Sequence, residues 1–527
     1  MWLTSSTSVR AGGKLAGCNG SIRSVLTYLS KSCQCIICVI MFFSRMSGKQ
    51  NLDRNKANPP INAPSENEPK PSGQFPGRTG PAIDLTQGSI PLNLLKLSWP
   101  MIVGSGLNML GPTIDVMWVG KLGSSAVAGV GVAGIVIMVI MSAMMGLVTG
   151  MRALIARNIG ADNVRDAVNV ATQSIVVSGI IAAIIAAAGF FLATPLLSLM
   201  GLEAEVVDEG AAYLRMVFIS AIPMMLRFMC EGSMQSAGDS FRPMTITMAY
   251  RAIHIALCPF FIFGWWIFPR MGVTGAAFTN IISQSIGLAI SIWILTTHRT
   301  KIHLTFKGFR IDWNTIWRIL KIGIPSSIMG IQMSLGNFIL IKLISPFGTN
   351  AVAAHTIWQR VDMLLMMTVM GLGMGGGILA GQNLGAGKPE RAVKSGWTAA
   401  LMGQGFLILC AVLIFFGAEI VVRLFNSEPA LVETASSFLR IAASSYLVAA
   451  FLYVFQYCIS GSGDTLPPMV FGIVGTWLIQ LPLAYFLPKL TGWGIYGIRW
   501  AMAITAILMT IVFILYFISG RWKRKVV

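Results

Sequence analysis

From residue 167 to residue 202 no side chain carries a charge, and stretches of this kind recur along most of the chain. The clean ones cover 97–114, 122–151, 167–202, 271–297, 322–341, 363–387, 395–418, 441–463, 465–488 and 500–520. Two less clean ones surround residues 216–226 and 252–269, the second holding His254. An α-helix needs about 20 apolar residues to cross the hydrocarbon core of a bilayer. Lipid offers no partner for open backbone N–H and C=O groups, so helices, which satisfy these groups internally, fit the runs. A β-barrel would need alternating segments of about ten residues, and the sequence has none. The fold class is therefore all-α, a polytopic membrane protein with twelve transmembrane helices. Composition agrees: only 11% of the 527 residues are charged, whereas soluble domains carry about 25%.

The net charge of +19 matters through its placement. Arg299, Lys301, Lys307, Arg310 and Arg318 cluster in the central loop, with Asp312 the lone acid among them, and the tail adds Arg521, Lys523, Arg524 and Lys525. The turn after the third span instead holds Glu203, Glu205, Asp208 and Glu209 with no base. The positive-inside rule places both termini and the central loop in the cytoplasm. The even number of spans agrees. Basic residues dispersed over short loops make no continuous footprint for nucleic acid. The partner that composition implies is the lipid bilayer.

Residues 1–52 are rich in serine and contain no acid before Asp53, and CIICVIMFF at 35–43 is too short to span. Two readings fit: a targeting peptide, or an upstream start with the product beginning near Met46. Cys33, Cys35 and Cys38 lie too close together for a disulfide framework and have no histidine beside them for zinc. Residues 46–81 hold seven prolines among polar residues, the composition of a disordered arm. SIPLNLLKL at 89–97 has the pattern of a short amphipathic lead-in at the membrane surface.

The chain is doubled. LLKLSWP (94–100) echoes ILKIGIP (319–325), and GSSAVA (123–128) echoes GTNAVA (348–353), both at an offset of 225. Asn158, Gly160 and Ala161 fall on Asn383, Gly385 and Ala386, and Gly238 and Asp239 on Gly463 and Asp464, at the same offset. Later MGVTGAA (271–277) resembles WGIYGIR (493–499) at 222, so a short deletion separates them. Six spans per copy, an even number, give parallel repeats related by an axis along the membrane normal, as in transporters with a site between two halves. The organisation expected is a leader and arm (1–84), an N-lobe (85–298), a cytoplasmic linker (299–318), a C-lobe (319–520) and a basic tail (521–527). The paired turns RNIGADNVRDAV (157–168) and QNLGAGKPERAV (382–393) link the second span of each half to the third. Their glycines are expected to serve the turn, where a chain leaves a helix with unusual φ.

DVMWVGKLG (115–123), AVAAHTIWQRVD (351–362), GQNLGAGKPERA (381–392) and GSGDTLPP (461–468) occur in this order and spacing. With them, residues 85–520 resemble the multidrug and toxic compound extrusion (MATE) family, and within it the DinF-like branch. The resemblance implies two six-helix lobes around a cleft, with efflux of small organic, often cationic compounds against inward H⁺ or Na⁺, no other cofactor, and a monomer in the cell's inner (plasma) membrane. It also implies a coupling aspartate in the first helix, at the position of Asp115. Read from position alone, an intramembrane carboxylate is either functional or simply long enough in reach to meet the outer interface. Pro112 removes a backbone donor and frees the carbonyl of Asn108 to line a cavity.

Sodium-binding relatives carry Asn and Asp four residues apart on the fifth helix. HIALCP (254–259) stands there, giving His254 and Cys258 on one helical face. With the second carboxylate gone, an oxygen-preferring cation is poorly served, and an Asp115–His254 proton relay or a structural histidine are the two readings. The NorM-like branch uses acids on the seventh and tenth helices, where Met333 and Ala449 stand. Asp362 is the clear carboxylate of the second lobe, either a structural pair with Arg360 or a second titrating group. Asn108, Gln332, Asn337, Gln359 and Met366 are candidate cleft residues that contact cargo or tie helices together. GLGMGG (371–376) follows no strand and reads as helix packing, and no catalytic motif is present, so the chain is not expected to be an enzyme. The alternative transporter reading is a lipid-linked oligosaccharide flippase, for which Arg152, Arg215, Arg227 and Arg251 would supply cavity cations.

Overall fold

A computed structural model describes residues 84–198, 204–297, 299–305 and 309–525. The leader, its cysteines and the proline-rich arm lie outside them. Among the described residues the first six helices are α1 (Ile90–Val119), α2 (Ser124–Gly160), α3 (Val164–Ser198), α4 (Ala204–Ser236), α5 (Phe241–Phe263) and α6 (Val273–Thr296). The second copy runs α7 (Trp313–Ile344), α8 (Thr349–Gly385), α9 (Pro389–Arg423), α10 (Pro429–Tyr446), α11 (Ala449–Gly461), α12 (Leu466–Ile473), α13 (Leu481–Thr491) and α14 (Ile495–Ser519). Nine of the resulting rods are long and apolar enough to cross a membrane, and α10 with α11, bent by 55°, make a tenth. Adding α1 and α2 gives twelve; α1 is less apolar because Lys96, Asn108, Pro112 and Asp115 interrupt it. A seven-residue π-helix (Val474–Gln480) joins α12 to α13 within one rod.

The repeat reaches the backbone torsions. Gly272 and Gly494 precede α6 and α14 with φ of 57° and 54° and ψ of −132° in both, a region closed to residues with a Cβ. Residues 89–97 do not form a separate surface helix: α1 starts at Ile90 and runs on without a break, because Leu94, Leu97 and Met101 are buried against protein rather than laid on lipid.

What they are buried against decides the architecture. Leu94, Leu97 and Met101 join the hydrophobic core built by α8 to α11, in the second lobe. Ile319 and Ile322 of α7 join the core of α2 to α5, in the first. Leu94 and Ile319 are repeat equivalents, as are Leu97 and Ile322. Each lobe therefore lends the first turns of its leading helix to the other. The remaining lengths return home: α1 packs on α5, and Leu340 and Ile344 of α7 join a core with Ala484 and Ile498.

The lobes meet closely at the terminal face, where α1 starts and α14 ends. A Cβ on Gly150 would lie 2.4 Å from the Ile319 carbonyl oxygen, and one on Gly146 2.3 Å from that of Gly323. Farther along, the Ser142 and Ser334 hydroxyls lie 3.1 Å apart. Beyond them Gly131 and Gly134 face nothing within 4 Å, so α2 stands clear of the other lobe toward the far face. Gly387 of the second turn takes the unusual φ expected of it, at 68°, whereas Gly160 and Gly385 do not. They end α2 and α8 as helical residues, and positive φ falls two positions later, at Asp162 and Gly387. Their lack of a Cβ serves contact instead: a Cβ on Gly160 would sit 1.9 Å from the Gln382 carbonyl oxygen, and one on Gly385 2.0 Å from that of Arg157.

Asp312 starts α7 as a side-chain cap, accepting from the backbone N–H of Asn314 and of Thr315. It also accepts from the Thr315 hydroxyl at 2.6 Å and from Asn169 of α3 at 3.1 Å. The Thr315 hydrogen bonds hold its carboxyl below the usual aspartate value. A depressed folded value stabilises above the ordinary aspartate range, and the contribution fades as pH falls through the lower folded value. Asp312→Ala is expected to cost about 1 kcal/mol and Asp312→Asn less, read as thermal midpoints in detergent, with the difference between wild type and Asp312→Ala shrinking in acid.

Candidate functional site

Asp115 sits on the last turns of α1, 2% exposed, facing α5 and α6. One carboxylate oxygen, Oδ2, accepts from the Asn280 amide on α6 at 3.0 Å. The other, Oδ1, lies 3.2 Å from His254 Nε2 and 3.6 Å from Cys258 Sγ, both on α5. His254 is within ion-pair distance but out of line for a hydrogen bond. A carboxylate at membrane depth costs about 2.5–3.5 kcal/mol, while one hydrogen bond to a charged group contributes about 1.5–3 kcal/mol. Asn280 alone therefore offsets most of the cost. The i, i+4 spacing carries His254 and Cys258 onto Asp115 together, and ligand atoms of all three lie within 4.8 Å of one another.

A second tier holds this cluster. Arg251, 4% exposed, places Nη1 3.4 Å from His254 Nδ1 and donates from Nη2 to the Asn108 carbonyl at 3.4 Å. That carbonyl is the one Pro112 leaves without a helical donor. The Asn108 side chain accepts from the Tyr250 hydroxyl. Gly111 makes room, since a Cβ there would lie 2.0 Å from Arg251 Nη1. An arginine only donates, so His254 Nδ1 is the acceptor and the imidazole hydrogen belongs on Nε2, toward Asp115.

The donor set is one carboxylate, one imidazole and one thiol. Sodium takes oxygen ligands, and here one carboxylate oxygen is engaged by Asn280 while nitrogen and sulfur occupy the rest. The residues present do not fit sodium; a proton needs only one lone pair.

The remaining candidates lie in the second lobe. Asp362 accepts at Oδ1 from the Tyr446 hydroxyl at 2.9 Å, whereas Arg360 is exposed. The Asp362–Arg360 pair, one of the two readings of Asp362, is absent from the ion pairs of the described residues, because residues two apart on a helix point away from each other. Asn337 accepts from Gln359 at 3.0 Å, a tie between α7 and α8. Gln332 and Met366 line a cavity of about 210 Å³ inside this lobe, as do Met333 and Ala449. Sequence reading missed Asn280, Arg499 and Tyr446; polarity of Asn280 within a span was the available signal for the first.

The MatE family model matches residues 100–260 and again 325–486. The chain belongs to the MATE family. The matched segments begin 225 residues apart, which is the internal repeat. A probable multidrug resistance protein NorM of Thermotoga maritima is 27% identical over 438 residues, covering 82% of this chain and 93% of that one. A protein of Shewanella oneidensis named FAD transporter is 26% identical over 426 residues, covering 79% and 92%. Among solved structures, a MOP superfamily transporter from Pyrococcus furiosus, reported with reversed polarity of its binding pocket, aligns with a TM-score of 0.79. It is 26% identical over 85% of this chain and 100% of its own. A multidrug resistance MATE transporter in an outward-facing conformation aligns at 0.79 with 25% identity over 84% and 98%. This MATE protein is thus a multi-pass membrane transporter, homologous to multidrug transporters and not an enzyme.

Proposed function

We propose that this protein is a secondary active efflux antiporter of the inner membrane, with both termini cytoplasmic, that exports organic compounds in exchange for protons taken up at Asp115. One observation carries the reading: a buried carboxylate in the first lobe meets a histidine and a thiol, a donor set that suits a proton and not sodium. With the terminal face cytoplasmic, the lobes touch on the inside and part toward the outside, which is where the driving proton enters.

In this scheme a proton arriving from outside is taken up at His254 Nδ1 while the Nε2 hydrogen passes to Asp115, which is neutralised and leaves the imidazole neutral. Protonating His254 at Nδ1 expels Arg251, because two donors cannot face each other. Arg251 then leaves the Asn108 carbonyl, loosening α1 at the point where Pro112 already interrupts its ladder. The first lobe rearranges and releases cargo, and proton and cargo compete for the same state of the lobe. Cationic cargo fits this exchange, as does any cargo whose binding favours the deprotonated state.

The flippase reading needs cations free to hold a lipid-linked phosphate. Arg227 is paired to Glu231 at 2.5 Å and donates to Gln284 at 2.7 Å. Arg152 donates to Gln235 at 2.6 Å and Arg215 to Thr194 at 2.9 Å. Arg227 is thus neutralised, and Arg152, Arg215 and Arg251 already donate to protein partners, Arg152 also to the Met374 sulfur of α8, which favours efflux of smaller compounds. The test is dye efflux from vesicles reconstituted with the protein, under a pH gradient alone and a sodium gradient alone. Efflux driven by pH and indifferent to sodium is expected; equal drive from sodium overturns proton coupling.

A further inference from the structure

The cavity inside the second lobe takes no part in that coupling scheme, yet it holds two charges that do not meet. Arg499 reaches it from α14 with 2% exposure. Its guanidinium lies 3.8 Å from the centre of the Trp358 ring, and Nη1 has only the Met502 thioether sulfur, at 3.1 Å, as partner. Nε has none. Asp362 lines the same cavity from α8, with Oδ1 on the Tyr446 hydroxyl, and it forms no ion pair with Arg499 among the described residues. Gln332, 6% exposed, lines it too, and neither its amide nitrogen nor its amide oxygen has a partner.

The backbone around the cavity is irregular. The π-helix Val474–Gln480 supplies Gly475, Thr476 and Gln480 to the lining, and π turns within helices recur at functional sites. The 55° break between α10 and α11 falls between Tyr446 and Ala449, both of which line it.

We infer that this cavity is a cargo subsite for a small aromatic zwitterion, with the carboxylate on Arg499 and the ammonium on Asp362. The charges decide the class. One buried cation and one buried anion sum to zero, and a ligand carrying both signs keeps that sum while giving each a partner. A plain cation or anion leaves one uncompensated charge out of water, which is costly. Gln332 offers a donor and an acceptor to a ring substituent, and methionine thioethers mould to varied shapes. A volume of about 210 Å³ corresponds to roughly seven waters at about 30 Å³ each, so the subsite admits one ring system with its polar arm.

The inference rests on the efflux reading only in naming the bound molecule cargo. Binding is measured at equilibrium with no gradient, so failure of exchange and failure of this pocket are separate results. The purified full chain in detergent is titrated calorimetrically with tryptophan, tryptophan methyl ester and N-acetyltryptophan, which are zwitterion, cation and anion on one ring, with empty micelles as blank. Wild type is expected to prefer tryptophan by about tenfold or more over either derivative. Arg499→Gln leaves the pocket negative and moves the preference to the methyl ester; Asp362→Asn leaves it positive and moves the preference to the N-acetyl form. Equal binding of the three by wild type, no binding at millimolar concentration, or a shift in the same direction by both variants overturns the assignment. If one variant does not fold, the wild-type order and the other variant decide.

Discussion

Asp115→Asn is expected to abolish pH-driven efflux while leaving the protein folded and able to bind cargo. The substitution keeps the size of the side chain and a carbonyl oxygen for the Asn280 amide, and it removes the only carboxylate in the cluster with His254 and Cys258. One unit of pH gradient is worth about 1.4 kcal/mol per proton, so exchange of one proton per cargo sustains about a tenfold concentration ratio. In the variant that ratio falls to about one, because nothing at the site changes charge when the outside is acidified. The measurement is steady-state cargo ratio in vesicles against imposed pH difference. A variant that still concentrates cargo with the wild-type slope places the coupling proton elsewhere. His254→Gln separates relay from scaffold: a relay predicts slow exchange with the full steady-state ratio, whereas a purely structural histidine predicts that rate and ratio are retained together when folding is retained.

Much of this site could be read from the sequence because its spacing is local. His254 and Cys258 share a face by helical periodicity, and the carboxylate of Asp115 stood out within an apolar run. The freed carbonyl behind Pro112 also followed from local chemistry, and Arg251 is found on it. Asn280 offered only its polarity within a span, since it meets Asp115 across 165 residues and nothing local marks a helix–helix contact. Arg499 and Tyr446 reach the second cavity from α14 and α10, on either side of backbone breaks that no periodicity announces. Proximity along the chain misled once, at Asp362 and Arg360. The repeat worked better than the motifs: equal offsets at Leu94 and Ile319 belong to helices that trade places between lobes. What the offset could not say is why glycine occupies both turns, because a missing Cβ announces either a torsion or a contact, and only the packed structure tells which.

That contact carries the second large effect. Gly160→Ala and Gly385→Ala are each expected to open the terminal face. The Cβ in either case would fall 1.9–2.0 Å from a backbone carbonyl oxygen of the opposite lobe, and backbone cannot step aside as a flexible side chain can. Overpacking of this kind costs about 1–3 kcal/mol, charged only to the state in which the lobes touch, which shifts the conformational balance about 5- to 150-fold. Alanine is otherwise the better helix former by about 0.8–1.0 kcal/mol, so a fall in closure cannot be blamed on helix loss. Gly131→Ala supplies the control, having the same propensity gain at a position that faces nothing within 4 Å. Spin labels on the ends of α2 and α8 report the outcome: a longer distance for Gly160→Ala and for Gly385→Ala, wild-type distance for Gly131→Ala. Because Arg157 and Gln382 are repeat equivalents as surely as the two glycines are, the two variants should shift the distance by similar amounts. Unchanged distances in both would mean that the lobes are held together by the exchanged ends of α1 and α7 alone, with the glycine crossing a passive consequence.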